Sequence, residues 1–264
     1  MDSCAQTNAQ LFLQIIERGC SSAELRLVRD AYGLAMQLYT GVYTGSGKPT
    51  LAHEVGTASL AHRHGGSFEL IAAGLLHGAY SAGDWGHYRM RLTDKKRQVV
   101  RHVIGSQAES YVHGFAMLPW DPQSIATLAE RPAEFTDFER NVVSLRLLEQ
   151  LDHLLEYGAV LWFRNAEKVK ETLRATRAHY CRLANRIEHP VLAAELDRAI
   201  ELTLTTQLPA DLLGLEFPGD AAQLLIPWSC RKRPLLSLSQ ALSRVATRVS
   251  QGARRRLLPV NRLA

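Results

Sequence analysis

The chain has 264 residues, of which 46% are hydrophobic and 22% charged, so it is long enough to bury the core of one large domain. No apolar stretch reaches the roughly 20 residues that cross a bilayer, and the first residues lack the basic-then-apolar pattern of a secretory signal. The four cysteines are scattered and form no Cys-x-x-Cys pair, which excludes zinc-ribbon and thioredoxin-like motifs. We therefore expect a cytoplasmic globular protein.

The net charge of +5 is unevenly distributed along the chain. Residues 225–264 contain nine Lys and Arg residues but no Asp or Glu, whereas the remainder has 22 basic and 26 acidic residues. We therefore predict a helical domain over residues 1–218 and a basic C-terminal extension over residues 219–264. The extension is either a solvated tail or a contact for anionic groups, and no aromatic residues alternate with its arginine run at 254–256.

Strand signals are scarce, and helical periodicity dominates the chain in N- to C-terminal order, which predicts an all-α fold. Ser21 and Glu24 have the spacing of a capping box, and a glycine-rich loop follows over residues 41–49. Helices are predicted over residues 8–18, 21–39, 50–64, 67–77, from residue 93, over 106–118, briefly within 119–132, and over 136–157, 165–187, 191–208 and 237–251.

Two histidines, His53 and His77, lie 24 residues apart at the edges of apolar helical patterns. In an antiparallel helix pair of about 15 residues each, these two edges would meet. Imidazole is a common ligand of zinc, iron and manganese, and such a site needs further ligands from convergent elements. The alternative is that the two histidines serve helix packing or structural hydrogen bonding.

The residues around the two histidines, 46–53 and 73–78, resemble the HD-domain superfamily, most closely the hydrolase domain of the stringent-response alarmone enzymes. The resemblance implies an HD-like helical bundle in which the two histidines bind metal. It also implies a third ligand near residues 147–154, where Glu149 occupies the register of the family's last aspartate. Asp152 lies one helical turn later, where it could share that face, and it is the alternative carboxylate ligand.

The departures from the alarmone hydrolases are equally informative. Gly78 stands where the family has its metal-binding aspartate, Ser81 and Ala82 replace an acidic pair, and Tyr43 and Thr44 replace a nucleotide-contacting arginine. We therefore do not expect alarmone hydrolysis. Residues 74–80 and 104–109 are closer to a little-characterised HD-related group with the elements Gly-Leu-x-His-x-x-Tyr and Ile-Gly-x-x-Ala-Glu. Members of that group also lack the aspartate, and they imply a fold without a settled reaction.

From these residues we expect His53, His77 and Glu149 to bind one divalent ion of iron, manganese or zinc. The expected function is a small-molecule enzyme that activates water or dioxygen, with hydrolysis as the superfamily default. His77, Glu149, Tyr80 and Asp84 are the expected catalytic residues, the last two beside Trp85 at the mouth of a pocket. Further candidate ligands are His87, His102 and His113.

Two alternatives stay open. In the first, the enzyme uses no metal, and His77 and Glu149 form an acid–base pair. In the second, the domain is a degenerate, non-catalytic binding module, in which the basic extension contacts its partner. The sequence is also compatible with a homodimer.

Overall fold

Helices form the regular secondary structure of the computed structural model, which describes residues 4–44, 48–86, 92–156 and 166–207. The predicted all-α class is confirmed, and within these ranges the β-structure is limited to one bridge between Tyr43 and Pro49. The helices are α1 (Asn8–Arg18), α2 (Ser22–Tyr39), α3 (Thr50–Arg63), α4 (Phe68–Gly74), α5 (Asp94–Met117), α6 (Pro122–Glu130), α7 (Asp137–Leu155), α8 (Ala166–Arg186) and α9 (Pro190–Thr205).

Side-chain caps fix where several helices begin, as their sequences predict. The Ser21 side chain accepts a hydrogen bond from the Glu24 backbone N–H, and the Glu24 side chain accepts one from the Ser21 backbone, which completes the capping box of α2. Thr136 and Glu139 form the same motif at the start of α7. These local bonds satisfy backbone N–H groups that have no partner within the helix.

Two helix predictions differ from the structure. The helix expected to continue to residue 77 ends at Gly74, and tighter i→i−3 bonds follow, such as Leu76 N–H to Ala73 O at 3.1 Å. The two helices expected from residue 93 and over 106–118 are joined in α5, which is broken at Gly105, where φ is +79°. Glycine permits this left-handed conformation without a steric penalty.

Helix α3 lies at the centre of the bundle, because every residue from 53 to 61 is buried. It packs against α1, α2, α4 and α7, and it therefore contacts both the His77 turn and the helix that carries Glu149. Within the described ranges, no helix is both long and apolar enough to cross a membrane. The predicted boundary near residue 218, the basic extension 219–264 and the helix predicted over 237–251 lie outside the described residues.

Candidate metal centre

His53 and His77 meet in the interior of the bundle, as the spacing predicts. His53 lies in the first turn of α3, and His77 lies in the turn that follows α4. Their Nε2 atoms are 3.2 Å apart, and the two rings are nearly perpendicular, at 77°. Both side chains are almost fully buried, so this contact belongs to the packed interior of the protein.

The other nitrogen of each ring is bound to an oxygen acceptor. His53 Nδ1 lies 2.7 Å from Asp152 Oδ2. His77 Nδ1 lies 2.8 Å from the Gly74 carbonyl oxygen and 2.8 Å from Glu54 Oε2. With the ring proton on Nδ1 in both histidines, each Nε2 presents a lone pair to the other. Two such lone pairs at this distance require either a shared proton or a bound cation between them.

Glu149 completes a cluster of three potential metal ligands. One carboxylate oxygen of Glu149 and one nitrogen from each of His53 and His77 all lie within 4.8 Å of one another. Two imidazole nitrogens bound to one zinc ion at about 2.0–2.1 Å lie about 3.3 Å apart in tetrahedral geometry, close to the observed Nε2 separation. These three residues can therefore hold a metal ion, and they form the one such group found within the described residues.

Asp152 orients His53 through its contact with Nδ1. Lys48 Nζ lies 2.8 Å and 3.0 Å from its two carboxylate oxygens. Burial raises the pKa of Asp152, but the hydrogen bond from His53 and the charge of Lys48 outweigh that effect and hold the pKa below its ordinary value. Asp152 therefore stays ionised and bound to Nδ1, which is the usual arrangement of a carboxylate behind a metal-binding histidine.

The electrostatics of the histidine pair are asymmetric. Burial lowers the pKa of both rings. For His53 this effect dominates and the pKa is lowered. For His77 the charges of Glu54 and Glu149 and the bond to the Gly74 carbonyl together outweigh burial, and the pKa is raised. In the metal-free protein, a proton shared between the two Nε2 atoms therefore belongs to His77. A bound cation would displace this proton.

His153 is a component of the site that the sequence interpretation missed. Its ring stacks on His53, with centroids 4.2 Å apart and planes 20° from parallel. Its two nitrogens lie 3.2 Å from Glu149 Oε1 and 3.3 Å from Glu156 Oε1. Burial opposes its charge, but these two carboxylates raise the pKa of His153 to about 10. Burial likewise raises the pKa of Glu149, but His153 outweighs it and the pKa is lowered to about 2.

Glu54 and Lys48 were also missed, although the sequence contains signals for both. Glu54 follows His53 directly and is a charged residue within a helix whose neighbours are buried. Lys48 ends the glycine-rich loop and lies five residues before His53. A buried charge needs a partner, so a carboxylate within the apolar pattern of α3 predicts a counter-ion close to it in the fold.

The Tyr80 hydroxyl is hydrogen-bonded to a separate ionic cluster. Its ring is buried, and its hydroxyl donates a hydrogen bond to Glu109 Oε1 at 2.9 Å. Arg97 and Arg101 also donate to the Glu109 carboxylate, at 2.7–3.0 Å. The turn that carries His77 is thereby tied to α5. A catalytic role for Tyr80 stays a prediction.

Asp84 and Trp85 lie in an ordered loop after the Tyr80 turn. The Asp84 backbone N–H donates to Leu38 O at 2.8 Å, its side chain accepts from Gly86 N–H at 2.8 Å, and Trp85 Nε1 donates to Ala79 O at 2.8 Å. These bonds shape the loop, and the predicted pocket mouth stays a prediction.

Two of the three further candidate ligands, His102 and His113, do not belong to the centre. His102 is exposed on α5, and His113 lies on the same helix partly buried; neither belongs to the cluster of His53, His77 and Glu149. His87 lies outside the described residues.

Comparison with protein families matches residues 37–119 to a domain of unknown function (DUF6817). The matched region contains both histidines and Glu54 but ends before α7, which carries Glu149 and Asp152. No curated protein matches the chain. Over less than a third of its length the chain is thus similar to DUF6817, and its relation to the HD superfamily stays a prediction.

Proposed function

We propose that this protein is an HD-like enzyme that acts on a small molecule through one divalent metal ion held by His53, His77 and Glu149. The observation that carries the proposal is the orientation of the two imidazoles. Each Nδ1 is occupied by an oxygen acceptor, and the two Nε2 atoms converge to 3.2 Å beside a carboxylate. Structural histidines do not need both Nε2 lone pairs aimed at one point.

The donor set indicates the chemistry of the site. Two imidazoles and one carboxylate are the protein ligands of mononuclear catalytic zinc and of non-haem iron, and both leave positions open for water or substrate. Such an ion, when bound, polarises a substrate oxygen and lowers the pKa of a water molecule. The HD resemblance makes hydrolysis the first reaction to test and dioxygen chemistry the second.

The residues around the ligands have distinct tasks in this proposal. Asp152 fixes the tautomer of His53, and the Gly74 carbonyl oxygen together with the charge of Glu54 favours the Nδ1–H tautomer of His77, so that Nε2 is the ligand atom in each. His153 keeps Glu149 ionised, as the pKa of about 2 for that carboxyl indicates. Gly78 contributes no side chain, which favours one metal ion over two.

The metal-free alternative is less well supported. A general base works best when its pKa lies near the working pH, and the pKa of Glu149, about 2, is far below neutrality. Glu149 would therefore accept a proton from a substrate poorly.

The test removes the metal with a chelator and reloads the protein with zinc, manganese or ferrous iron before screening phosphate esters, amides and dioxygen uptake. We expect activity to depend on one reloaded ion and to be lost in His77→Gln. His102→Gln, which changes an exposed histidine of α5, is the matched control and should keep full activity. Full activity in excess chelator would establish the metal-free enzyme instead. A protein that binds the reloaded ion but shows no activity would indicate a binding domain.

A further inference from the structure

Glu54 is among the most deeply buried charged side chains in the described part of the chain, with 1% of its surface exposed. An ionised carboxylate in such a position costs several kcal/mol unless it is paired. Its Oε2 lies 2.8 Å from His77 Nδ1, an ionic contact without hydrogen-bond geometry. The equally buried Tyr39 packs nearby. The negative charge of Glu54 adds to burial in raising the pKa of Tyr39. Glu54 thus faces His77 rather than its sequence neighbour His53.

Gly78 provides the space that this carboxylate needs. A Cβ atom at residue 78 would overlap Glu54 Oε1 and would lie 3.6 Å from both Glu54 Cδ and the Tyr39 hydroxyl oxygen. Gly78 does not have a positive φ, so its backbone conformation is open to any residue. The glycine is therefore required by the volume of Glu54 and not by the backbone.

We infer that Glu54 and Gly78 act as a pair: Gly78 leaves a space beside His77, and the carboxylate of Glu54 fills it to hold the His77 ring as a metal ligand. This inference rests on the proposed metal centre. Glu54 is a positioning residue, because it contacts Nδ1 and not the Nε2 atom that faces the site. By its charge it favours the tautomer with the proton on Nδ1, which leaves the Nε2 lone pair for the ion.

The Gly74 carbonyl oxygen is the competing explanation, since it also lies 2.8 Å from His77 Nδ1. A carbonyl dipole alone could hold the tautomer, and Glu54 would then be dispensable. The two explanations differ in what they predict for Glu54→Ala, which leaves the Gly74 bond in place.

The experiment is a double-mutant cycle between Glu54→Ala and Gly78→Ala, read as zinc affinity by competition with a chromophoric chelator. Removing a carboxylate behind a metal-binding histidine typically weakens affinity by about 10- to 100-fold. We expect that loss for each single variant, because the methyl group that Gly78→Ala adds displaces the carboxylate. The double variant should lose no more than either single one. If the double variant lost zinc affinity by the product of the two single-variant losses, the inferred pairing of Glu54 and Gly78 would be overturned.

Two further measurements separate positioning from general structural damage. Glu54→Gln keeps an oxygen acceptor of the same size and should lose less affinity than Glu54→Ala. Nuclear magnetic resonance of the His77 ring nitrogens in the metal-free protein, recorded at a pH where the proton shared with His53 has been removed, should show the Nδ1–H form in the wild type and a redistribution towards Nε2–H in Glu54→Ala. An unchanged tautomer would assign the role to Gly74 and overturn the inference. Failure of the wild type to bind zinc would contradict the proposed function alone, because the ring measurement needs no metal.

Discussion

Replacing Gly56 by alanine should weaken the proposed centre without touching any ligand. Gly56 lies within α3, and a Cβ atom there would overlap Asp152 Oδ1 and lie 2.8 Å from Asp152 Cγ. The carboxylate would have to move from its contacts with His53 and Lys48. The glycine therefore permits the close approach of α3 and α7 that orients His53.

The expected change in the free energy of unfolding combines opposing effects. Alanine in a helix interior is favoured over glycine by about 1 kcal/mol. Against this, overpacking costs about 1–3 kcal/mol, and the loss of charged hydrogen bonds costs about 1.5–3 kcal/mol. We expect Gly56→Ala to lower the free energy of unfolding by about 1.5–5 kcal/mol and to weaken zinc binding by about 10- to 100-fold.

Gly33→Ala is the matched control, because Gly33 also lies within a helix, α2, and a Cβ atom there meets nothing within 4 Å. This variant should gain only the stability that comes from the higher helix propensity of alanine, which raises Tm by about 2–4 °C. The stability of both variants is measured by thermal and urea unfolding, and their zinc affinity by chelator competition. If Gly56→Ala were as stable as Gly33→Ala and bound zinc like the wild type, the assigned role of Asp152 would be refuted.

Two further substitutions and one titration test other parts of the structure. Lys48→Met removes the ammonium group from Asp152 but leaves the His53 bond, so zinc affinity measured by calorimetry should fall by no more than about tenfold; a larger loss would contradict this. The Glu139 carboxylate has its pKa lowered to about 2, first by Arg131, so it stabilises the fold above its ordinary pKa of 4.5 and loses that effect as the pH falls towards 2. Glu139→Gln should therefore cost about 1 kcal/mol in urea unfolding at pH 7, and this cost should shrink as the pH falls from 4.5 through 2. For His153 the folded pKa of about 10 exceeds the ordinary 6.5, so its stabilising effect is complete below pH 6.5 and is lost as the pH rises through 10; a ring titration by magnetic resonance with a midpoint near 6.5 would contradict this.

What the sequence predicted well depends on local interactions. The capping boxes at Ser21 and Thr136 involve residues three positions apart, so short-range chemistry alone locates the helix starts. The meeting of His53 and His77 was predicted from their spacing, although α4 has seven residues instead of about 15 and His77 lies in the turn after it. In contrast, the helix end at Gly74 was missed because the apolar pattern continues through Leu75 and Leu76 while the backbone bonds tighten.

The carboxylates around the centre required the tertiary structure. Asp152 was considered as a ligand because it lies one turn from Glu149 on α7, yet it binds the outer nitrogen of His53. Glu54 is adjacent to His53 in sequence but contacts His77, and His153 stacks on a ring from another helix. Which nitrogen a carboxylate faces depends on ring orientation, and residue spacing does not determine that.

Metal stoichiometry tests the central claim most directly. Wild-type protein, stripped by chelator, incubated with excess zinc and passed through gel filtration, should retain one zinc ion per chain by elemental analysis. His53→Gln and Glu149→Gln should retain almost none, whereas His102→Gln should retain one. Wild-type protein that retains no zinc, manganese or iron, or ligand variants that retain as much as the wild type, would contradict a metal centre at His53, His77 and Glu149.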